Sequence, residues 1–415
     1  MEWGRLSTSS LTRRRWKGGS WALRKCTEAV AIGVFLGVSF SIFVTFGRRR
    51  ALGQSMGSDC DFRAIFNFGD SNSDTGSDSA VFCRVPSPNG DTFFGKPSGR
   101  YSDGRLIIDF MAEELGLPHL SSYLDSIGTN FQHGANFAAS GSTIQPANGK
   151  LFDYGFNPIS LNIQLLQFIQ FKERTHELYN REISQTKSST FPRPEDFSKA
   201  LYTMDAGQND LHAGFLSMAE DEMKASIPLL INQSALALQQ LYEHGARTFW
   251  VQNTGPIGCL PYCIVNDPPK PDNMDQSGCI KSYNEVAQEF NRQLKERVFQ
   301  LRTKLQDAVI TYVDIFSAKY SLISNAKKYG FVDPLGYCCG HHGDYNVDCG
   351  KKTMVNGSEV YGAGCSNPGE YISWDGVHYT EAANRWVANL IVNGSLSDPP
   401  VSISRACQIS VHTHS

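Results

Sequence analysis

Apolar and polar positions along the chain follow two alternating patterns, short runs of apolar residues and longer stretches with helical spacing. The short runs predict strands at Ala64–Phe68, Ala200–Met204, Thr248–Gln252 and Val309–Val313. The longer stretches predict helices at Leu106–Leu115, Leu161–Phe171, Met223–Tyr242, Ile280–Gln306 and Glu381–Val392. Strands that alternate with helices form parallel sheets covered on both faces, so the pattern predicts one α/β domain over residues 60–407.

The stretch before this domain has a different pattern. Ala29–Phe46 contains 18 residues without a charge, and basic residues lie on both sides of it. At about 1.5 Å per residue a helix of this length spans roughly 27 Å, which suits a thin bilayer such as that of the Golgi. We therefore expect a cytoplasmic tail (1–28), a signal anchor (29–46), a linker (47–59), the lumenal domain and a short tail (408–415). The alternative is cleavage near Ala51–Gly53, followed by secretion.

Composition and charge narrow the class of protein. With 41% hydrophobic and 19% charged residues, the chain is neither disordered nor fibrous. The net charge of −3 is unevenly distributed along the chain. Residues 1–50 hold ten basic and two acidic side chains, whereas the remainder holds 28 basic and 39 acidic side chains. An acidic domain repels phosphate backbones, which argues against nucleic acid as a partner. The oligomeric state is not encoded in any of these patterns.

The cysteines indicate an oxidising compartment. Ten of the eleven lie beyond residue 50, and an even set suits disulfides in a lumen. Three Asn-x-Ser/Thr sequons, at Asn232, Asn356 and Asn393, are candidate glycosylation sites. A zinc site is the alternative for one cluster, which comprises Cys338, Cys339, His341, His342 and Cys349, with Cys365 nearby. In a lumen, disulfides explain that cluster better.

Two widely separated segments could supply a nucleophile and its base. Ser71 follows the first strand in a Gly-Asp-Ser turn, and His378 precedes the last helix. A serine hydroxyl needs a base to take its proton, and the imidazole needs an acceptor on its other nitrogen. Asp375, three residues before His378, suits that second task. Each segment alone is also an ordinary turn or helix cap.

Two further glycine turns could stabilise an oxyanion. Asn209, in Gly-Gln-Asn-Asp after the second predicted strand, offers a side-chain amide, and Gly141 offers a backbone N–H. Gly134 is a weaker alternative to Gly141. Separately, each of these turns has an ordinary structural explanation.

Together, the four segments resemble the plant GDSL esterase/lipase family of SGNH hydrolases. The motifs GDSNSDTG (69–76), NFAASGST (136–143), GQND (207–210) and DGVH (375–378) occur in that family's order, and the likeness covers most of residues 60–407. The resemblance implies a flavodoxin-like three-layer α/β/α fold around a five-stranded parallel sheet. One departure is Asn72, which stands where the family name expects leucine.

The resemblance also implies a two-step ester hydrolysis that needs no metal or cofactor. Ser71 would be the nucleophile, His378 the general base and acid, and Asp375 its orienting carboxylate. The oxyanion hole would comprise the Ser71 and Gly141 N–H groups and the Asn209 side chain. The chain is similar to the early-nodulin-like and cell-wall deacetylase branch, so we expect O-acetyl removal from a polysaccharide such as xylan.

Other functions remain open from the sequence. An acyl-lipid esterase or an acyltransferase would use the same residues. A glycosidase would need two carboxylates about 5–10 Å apart, which Asp205 with Asp210 or Asp70 with Asp74 could supply. A non-catalytic carbohydrate-binding protein is a further alternative. For the ester substrate itself, aromatic side chains near the site loops would suit sugar rings. The aromatic candidates near the site loops are Phe93, Phe94, Tyr101, Tyr337, Tyr371 and Trp374.

Overall fold

A six-stranded sheet in the order β10-β5-β4-β3-β1-β2 is the centre of the computed structural model, which describes residues 59–146, 157–182 and 190–408. Its five parallel strands are β1 (Ile65–Gly69), β2 (Gly134–Asn136), β3 (Leu201–Asp205), β4 (Thr248–Gln252) and β5 (Val309–Val313). The short strand β10 (Ser397–Asp398) pairs antiparallel with β5 at one edge. The predicted five-stranded parallel sheet is therefore confirmed, with one added edge strand.

Helices cover both faces of this sheet. In chain order they are α1 (Ser77–Val81), α2 (Asp91–Phe94), α3 (Ile107–Glu114), α4 (Leu161–Glu182), α5 (Gln208–Ser217), α6 (Glu220–Glu243), α7 (Pro261–Asn266), α8 (Lys281–Lys304), α9 (Ile315–Ser324) and α10 (Glu381–Val392). Side chains of β1 alternate between the faces: Phe66 and Phe68 pack with α4, α6 and α8, whereas Ile65 packs with α3, α9 and α10. This gives the predicted three layers.

The clearest apolar patterns predicted their elements to within a few residues. The predicted helix Glu381–Val392 coincides with α10, and the strand bounds differ by at most one residue. Helix α4 continues eleven residues beyond the predicted Phe171, to Glu182. The three-residue strand β2 was missed, because Gly134–Asn136 has no apolar run of its own.

Small paired strands lie outside the central sheet, between β5 and α10. Strand β6 (Asp333–Tyr337) pairs with β9 (Tyr371–Ser373), and β7 (Lys352–Val355) forms a hairpin with β8 (Ser358–Tyr361). Two disulfides cross-link this region, which we call the disulfide module (residues 333–373). Because its four cysteines are paired, the zinc alternative has lost its thiolate ligands.

Eight cysteines of the described chain form disulfides. The pairs are Cys60–Cys407, Cys259–Cys279, Cys338–Cys365 and Cys339–Cys349. Cys83 and Cys263 are free thiols, so the even set of ten is not fully paired.

The predicted anchor, residues 29–46, lies outside the described residues. Within the part of the chain that the structure describes, no helix is both long and apolar enough to cross a membrane. The sequon asparagines Asn232, Asn356 and Asn393 are all exposed, as glycan acceptors must be.

Candidate active site

Ser71 lies in a tight turn at the carboxyl end of β1, where open α/β sheets bind their ligands. The turn begins at Gly69, where a Cβ would lie 2.3 Å from the Asp205 carbonyl oxygen of the neighbouring strand, so only glycine fits. The Asp70 N–H donates to that same carbonyl at 3.2 Å. Ser71 is 6% exposed. These contacts fix the turn directly to the buried sheet.

The loop that contains Gly141 is bonded to the Ser71 turn by two buried side chains. The Asp74 carboxylate accepts from the Ser140 N–H at 2.8 Å and also from N–H groups at the start of α1. The Gln164 amide bonds both the N–H and the C=O of Gly69 and donates to the Ser142 hydroxyl at 2.8 Å. Gly141 itself has φ +73°, a conformation that favours glycine.

Asn209 approaches the same loop from the first turn of α5. Its amide donates one hydrogen to the Ser142 carbonyl at 2.9 Å, which leaves the second amide hydrogen available. The neighbouring Asp210 carboxylate accepts from the Ile144 N–H at 2.8 Å. Gly134 lies at the opposite, amino end of β2, where its N–H donates to the Phe131 carbonyl.

Asp375 and His378 form a closed turn between β9 and α10. Asp375 Oδ2 lies 2.6 Å from His378 Nδ1, and Asp375 Oδ1 accepts from the Val377 and His378 N–H groups. Burial alone would raise the pKa of Asp375, but the His378 charge and these hydrogen bonds outweigh it and hold the pKa below its usual value. The ionised carboxylate fixes the proton on Nδ1, which leaves Nε2 to accept another.

Two side chains connect the His378 loop to the Ser71 side of the site. The Tyr101 ring stacks on the His378 imidazole, with ring centroids 5.1 Å apart, and its hydroxyl donates to Asp78 of α1 at 2.5 Å. Lys319 of α9 donates to Asn72 at 3.4 Å, and its ammonium lies 4.2 Å from the ring centroid of Tyr379. The four predicted segments therefore meet at the carboxyl ends of the parallel strands.

The Ser71 hydroxyl has no hydrogen-bond partner among the described residues, so the Ser71–His378 hydrogen bond is not formed in this structure. Catalytic hydrogen bonds are often open without a substrate and tighten when one binds. No hydrogen bond therefore fixes the rotamer of the Ser71 hydroxyl in this structure.

Several buried carboxylates surround the Ser71 turn. Burial raises the pKa of Asp74 to about 6 and, together with the Asp70 charge, that of Asp205 to about 7. The carboxylate oxygens of Asp74 and Asp210 accept hydrogen bonds from backbone N–H groups. Such bonds stabilise turns and helix starts, and they explain both residues without a glycosidase role. Burial also raises the pKa of Asp70, one oxygen of which has no partner among the described residues.

A cleft of about 210 Å³ opens beside His378 and Asp375. Tyr101 and Tyr262 line it, and the charged side chains of Arg84 and Lys351 border it. Tyr101 is the only one of the six aromatic candidates on this cleft within the described chain. Trp374, for example, is 1% exposed and packs inside the disulfide module, where its indole donates to Asn89.

Sequence reasoning assigned no role in this site to several residues that build it. The His342 ring lies 2.9 Å from the Asp375 carbonyl oxygen, and the Tyr262 N–H donates to Gly376 at 3.0 Å. Gln164 and Lys319 were also missed. Gln164 and Lys319 are single polar residues in helices, and such a residue gives no signal of its own.

Comparison with known proteins places this arrangement in a family. Residues 65–391 match the family described as GDSL-like lipase/acylhydrolase. A GDSL esterase/lipase of Arabidopsis thaliana is 55% identical, with 84% of this chain and 90% of that protein covered. A GDSL esterase/lipase of Zea mays is 52% identical, with 85% and 90% covered. Alpha-L-fucosidase 3 of Arabidopsis thaliana is 47% identical, with 84% and 93% covered.

The match extends over most of the domain and includes the strand before Ser71 and the helix after His378. The chain therefore belongs to the GDSL-like lipase/acylhydrolase family and is a serine carboxylic-ester hydrolase.

Proposed function

We propose that Ser71, His378 and Asp375 carry out the ester hydrolysis. His378 Nε2 takes the Ser71 proton as the Ser71 oxygen attacks the ester carbonyl, and the imidazolium then gives that proton to the leaving alcohol. Water, activated by the same imidazole, releases the acid and restores the serine. The observation that carries this proposal is the 2.6 Å contact between Asp375 and His378, on the same sheet edge as the Ser71 turn.

The oxyanion of each tetrahedral intermediate would be bound by three donors, the Ser71 N–H, the Gly141 N–H and the Asn209 amide. Support comes from the contacts that hold these segments together, since Asp74 and Gln164 fix the Gly141 loop to the Ser71 turn. Donors that are already in place stabilise charge without reorganisation in the transition state.

For the substrate, we propose an O-acetylated polysaccharide such as xylan. A cleft of about 210 Å³ beside His378 suits a small acyl group and a sugar better than a long lipid chain. Tyr101 and Tyr262 offer aromatic faces to a sugar ring, and Arg84 and Lys351 make the rim polar.

Acetate release from acetylated xylan, compared with hydrolysis of long-chain p-nitrophenyl esters, tests this substrate. We expect acetate release by the full chain and none by Ser71→Ala. Cleavage of the long-chain esters alone would indicate that the substrate is an acyl lipid and not a polysaccharide. A reducing sugar without acetate would indicate a glycosidase, the activity named for one relative, and acetyl transfer to an added alcohol would indicate an acyltransferase.

We further propose that residues 29–46 anchor the protein in the Golgi membrane, with the hydrolase domain in the lumen. The four disulfides support an oxidising compartment. Protease treatment of intact Golgi vesicles tests this: the domain should be protected and should stay in the membrane after carbonate extraction. Recovery in the soluble fraction would favour cleavage and secretion.

A further inference from the structure

Lys319 is a buried cation that the hydrolysis does not use. It lies on α9, is 5% exposed, and its ammonium donates to Asn72 Oδ1 at 3.4 Å. Glycine at position 255 leaves room for it, because a Cβ there would lie 3.1 Å from Lys319 Cδ. A buried ammonium costs free energy unless its surroundings compensate the charge.

The contacts of Lys319 involve the immediate neighbours of both proposed catalytic residues. Asn72 follows Ser71 in the sequence, and Tyr379, whose ring faces the ammonium at 4.2 Å, follows His378. Asn72 also donates to Asp70 at 3.0 Å, on the other side of Ser71. One side chain thus reaches the nucleophile turn and the base loop together.

The charges near Lys319 do not form an ordinary salt bridge. Asp70 and Asp205 are the carboxylates whose charges act on it, yet none of the described carboxylate oxygens lies within 4.0 Å of its nitrogen. A lysine that served stability alone would gain most from a close, well-bonded carboxylate. Instead, the shortest polar contact of this ammonium is with the side chain beside the nucleophile.

We propose that Lys319 is a positioning residue, whose ammonium holds the Ser71 turn in register with the His378 loop through Asn72 and Tyr379. The inference rests on the catalytic roles proposed above for Ser71 and His378. Reaction between two groups on separate loops is sensitive to small misplacements, and about 1 Å can cost roughly 100-fold in rate. The proposal also assigns a role to Asn72, the residue that stands where the family name has leucine.

Lys319→Met tests this proposal, since it keeps most of the length of the side chain and removes the charge. We expect kcat to fall at least about tenfold while KM stays within about twofold, because the ester still binds but the two catalytic loops lose their register. Lys327→Met, at an exposed lysine just beyond the same helix, is the matched control and should leave both constants unchanged. A Lys319→Met enzyme with kcat within twofold of the wild type would overturn the proposal.

Asn72→Leu tests the same link without changing any charge. We expect a several-fold loss of kcat, and we expect the double variant with Lys319→Met to lose no more than Lys319→Met alone, because both break one contact. Independent losses that multiply would contradict the proposal. Should Lys319→Met fail to fold, an unchanged kcat in Asn72→Leu overturns it.

The wild-type enzyme and Ser71→Ala separate this inference from the proposed function. If hydrolysis depends on Ser71 but not on Lys319, only the positioning role fails. If hydrolysis does not depend on Ser71, the proposed function fails with it.

Discussion

The turn that carries Ser71 and the loop that carries His378 are supported by different parts of the molecule. The Ser71 turn leaves the central sheet directly and is bonded to β3 through the Asp205 carbonyl. The His378 loop follows the disulfide module, where the Trp374 carbonyl accepts from the N–H groups of Cys338 and Cys339 at 2.9 and 2.6 Å. Sheet packing thus positions Ser71, the proposed nucleophile, and cross-linked loops position His378, the proposed base.

The carboxylates of the two regions also differ in their charge balance. Near Ser71, burial dominates and raises the pKa of Asp74 to about 6 and of Asp205 to about 7. In the His378 loop, the imidazole and backbone N–H groups outweigh burial and lower the pKa of Asp375. The proposed base is therefore already paired and oriented, whereas buried acids that resist ionisation lie in and beside the Ser71 turn.

Among the variants compared below, the largest loss of activity is expected in the His378 loop, from Asp375→Asn. The amide cannot fix the imidazole in the same tautomer, so kcat should fall by about 10³–10⁴ with little change in KM. Steady-state kinetics with p-nitrophenyl acetate measure it. A loss below tenfold would mean that the pairing of Asp375 with His378 contributes little.

The next effect is expected on the nucleophile side, from Asn209→Ala. Loss of one oxyanion donor should lower kcat by about 10²–10³. The control is Asn325→Ala, which removes a similar amide-to-carbonyl hydrogen bond, to Ser321, from an exposed position outside the cleft. Equal kcat values for the two variants would exclude Asn209 from the oxyanion hole.

Removal of single disulfides should distinguish those that position the His378 loop from those that stabilise the whole fold. Replacing Cys339 and Cys349 by serine should lower kcat several-fold, because the backbone of Cys339 supports the His378 loop. Replacing Cys60 and Cys407 removes a cross-link that spans 347 residues and should lower the Tm more, with kcat unchanged. Kinetics and thermal unfolding of both variants test this, and a kcat loss in the second variant alone would reverse the assignment.

The smallest effect is a pH-dependent change in stability from Asp205→Asn. Because the folded-state pKa of Asp205 is raised to about 7, the folded protein loses stability as pH rises from about 4 toward 7. The variant cannot ionise, so its Tm should equal the wild-type value near pH 4 and exceed it by roughly 5 °C at pH 8. Thermal unfolding at both pH values measures this, and a constant Tm difference would contradict it.

The sequence predicted the buried parts of this fold better than its connections. Long apolar patterns such as Thr248–Gln252 and Glu381–Val392 coincide with observed elements, because burial dictates both the pattern and the structure. Strand β2 and the disulfide pairs depend on contacts between distant segments, which spacing along the chain does not encode.

The candidate site likewise contains residues that local motifs predict and residues that only distant contacts bring together. Ser71, Asn209 and the Asp375–His378 pair were predicted, because each follows a strand or precedes a helix in a motif with its own chemistry. Lys319 and Gln164 were not, since their contacts with Asn72 and Gly69 cross 247 and 95 residues of sequence. The stacking of Tyr101 on His378 likewise required the fold.

The central claim, that the Ser71 hydroxyl is activated by His378, is tested most directly by covalent labelling. A fluorophosphonate probe should modify the wild-type protein at Ser71, as located by peptide mass spectrometry, and should react with His378→Ala at least about 100-fold more slowly. Labelling at a different serine, or undiminished labelling of the His378→Ala variant, would contradict the account.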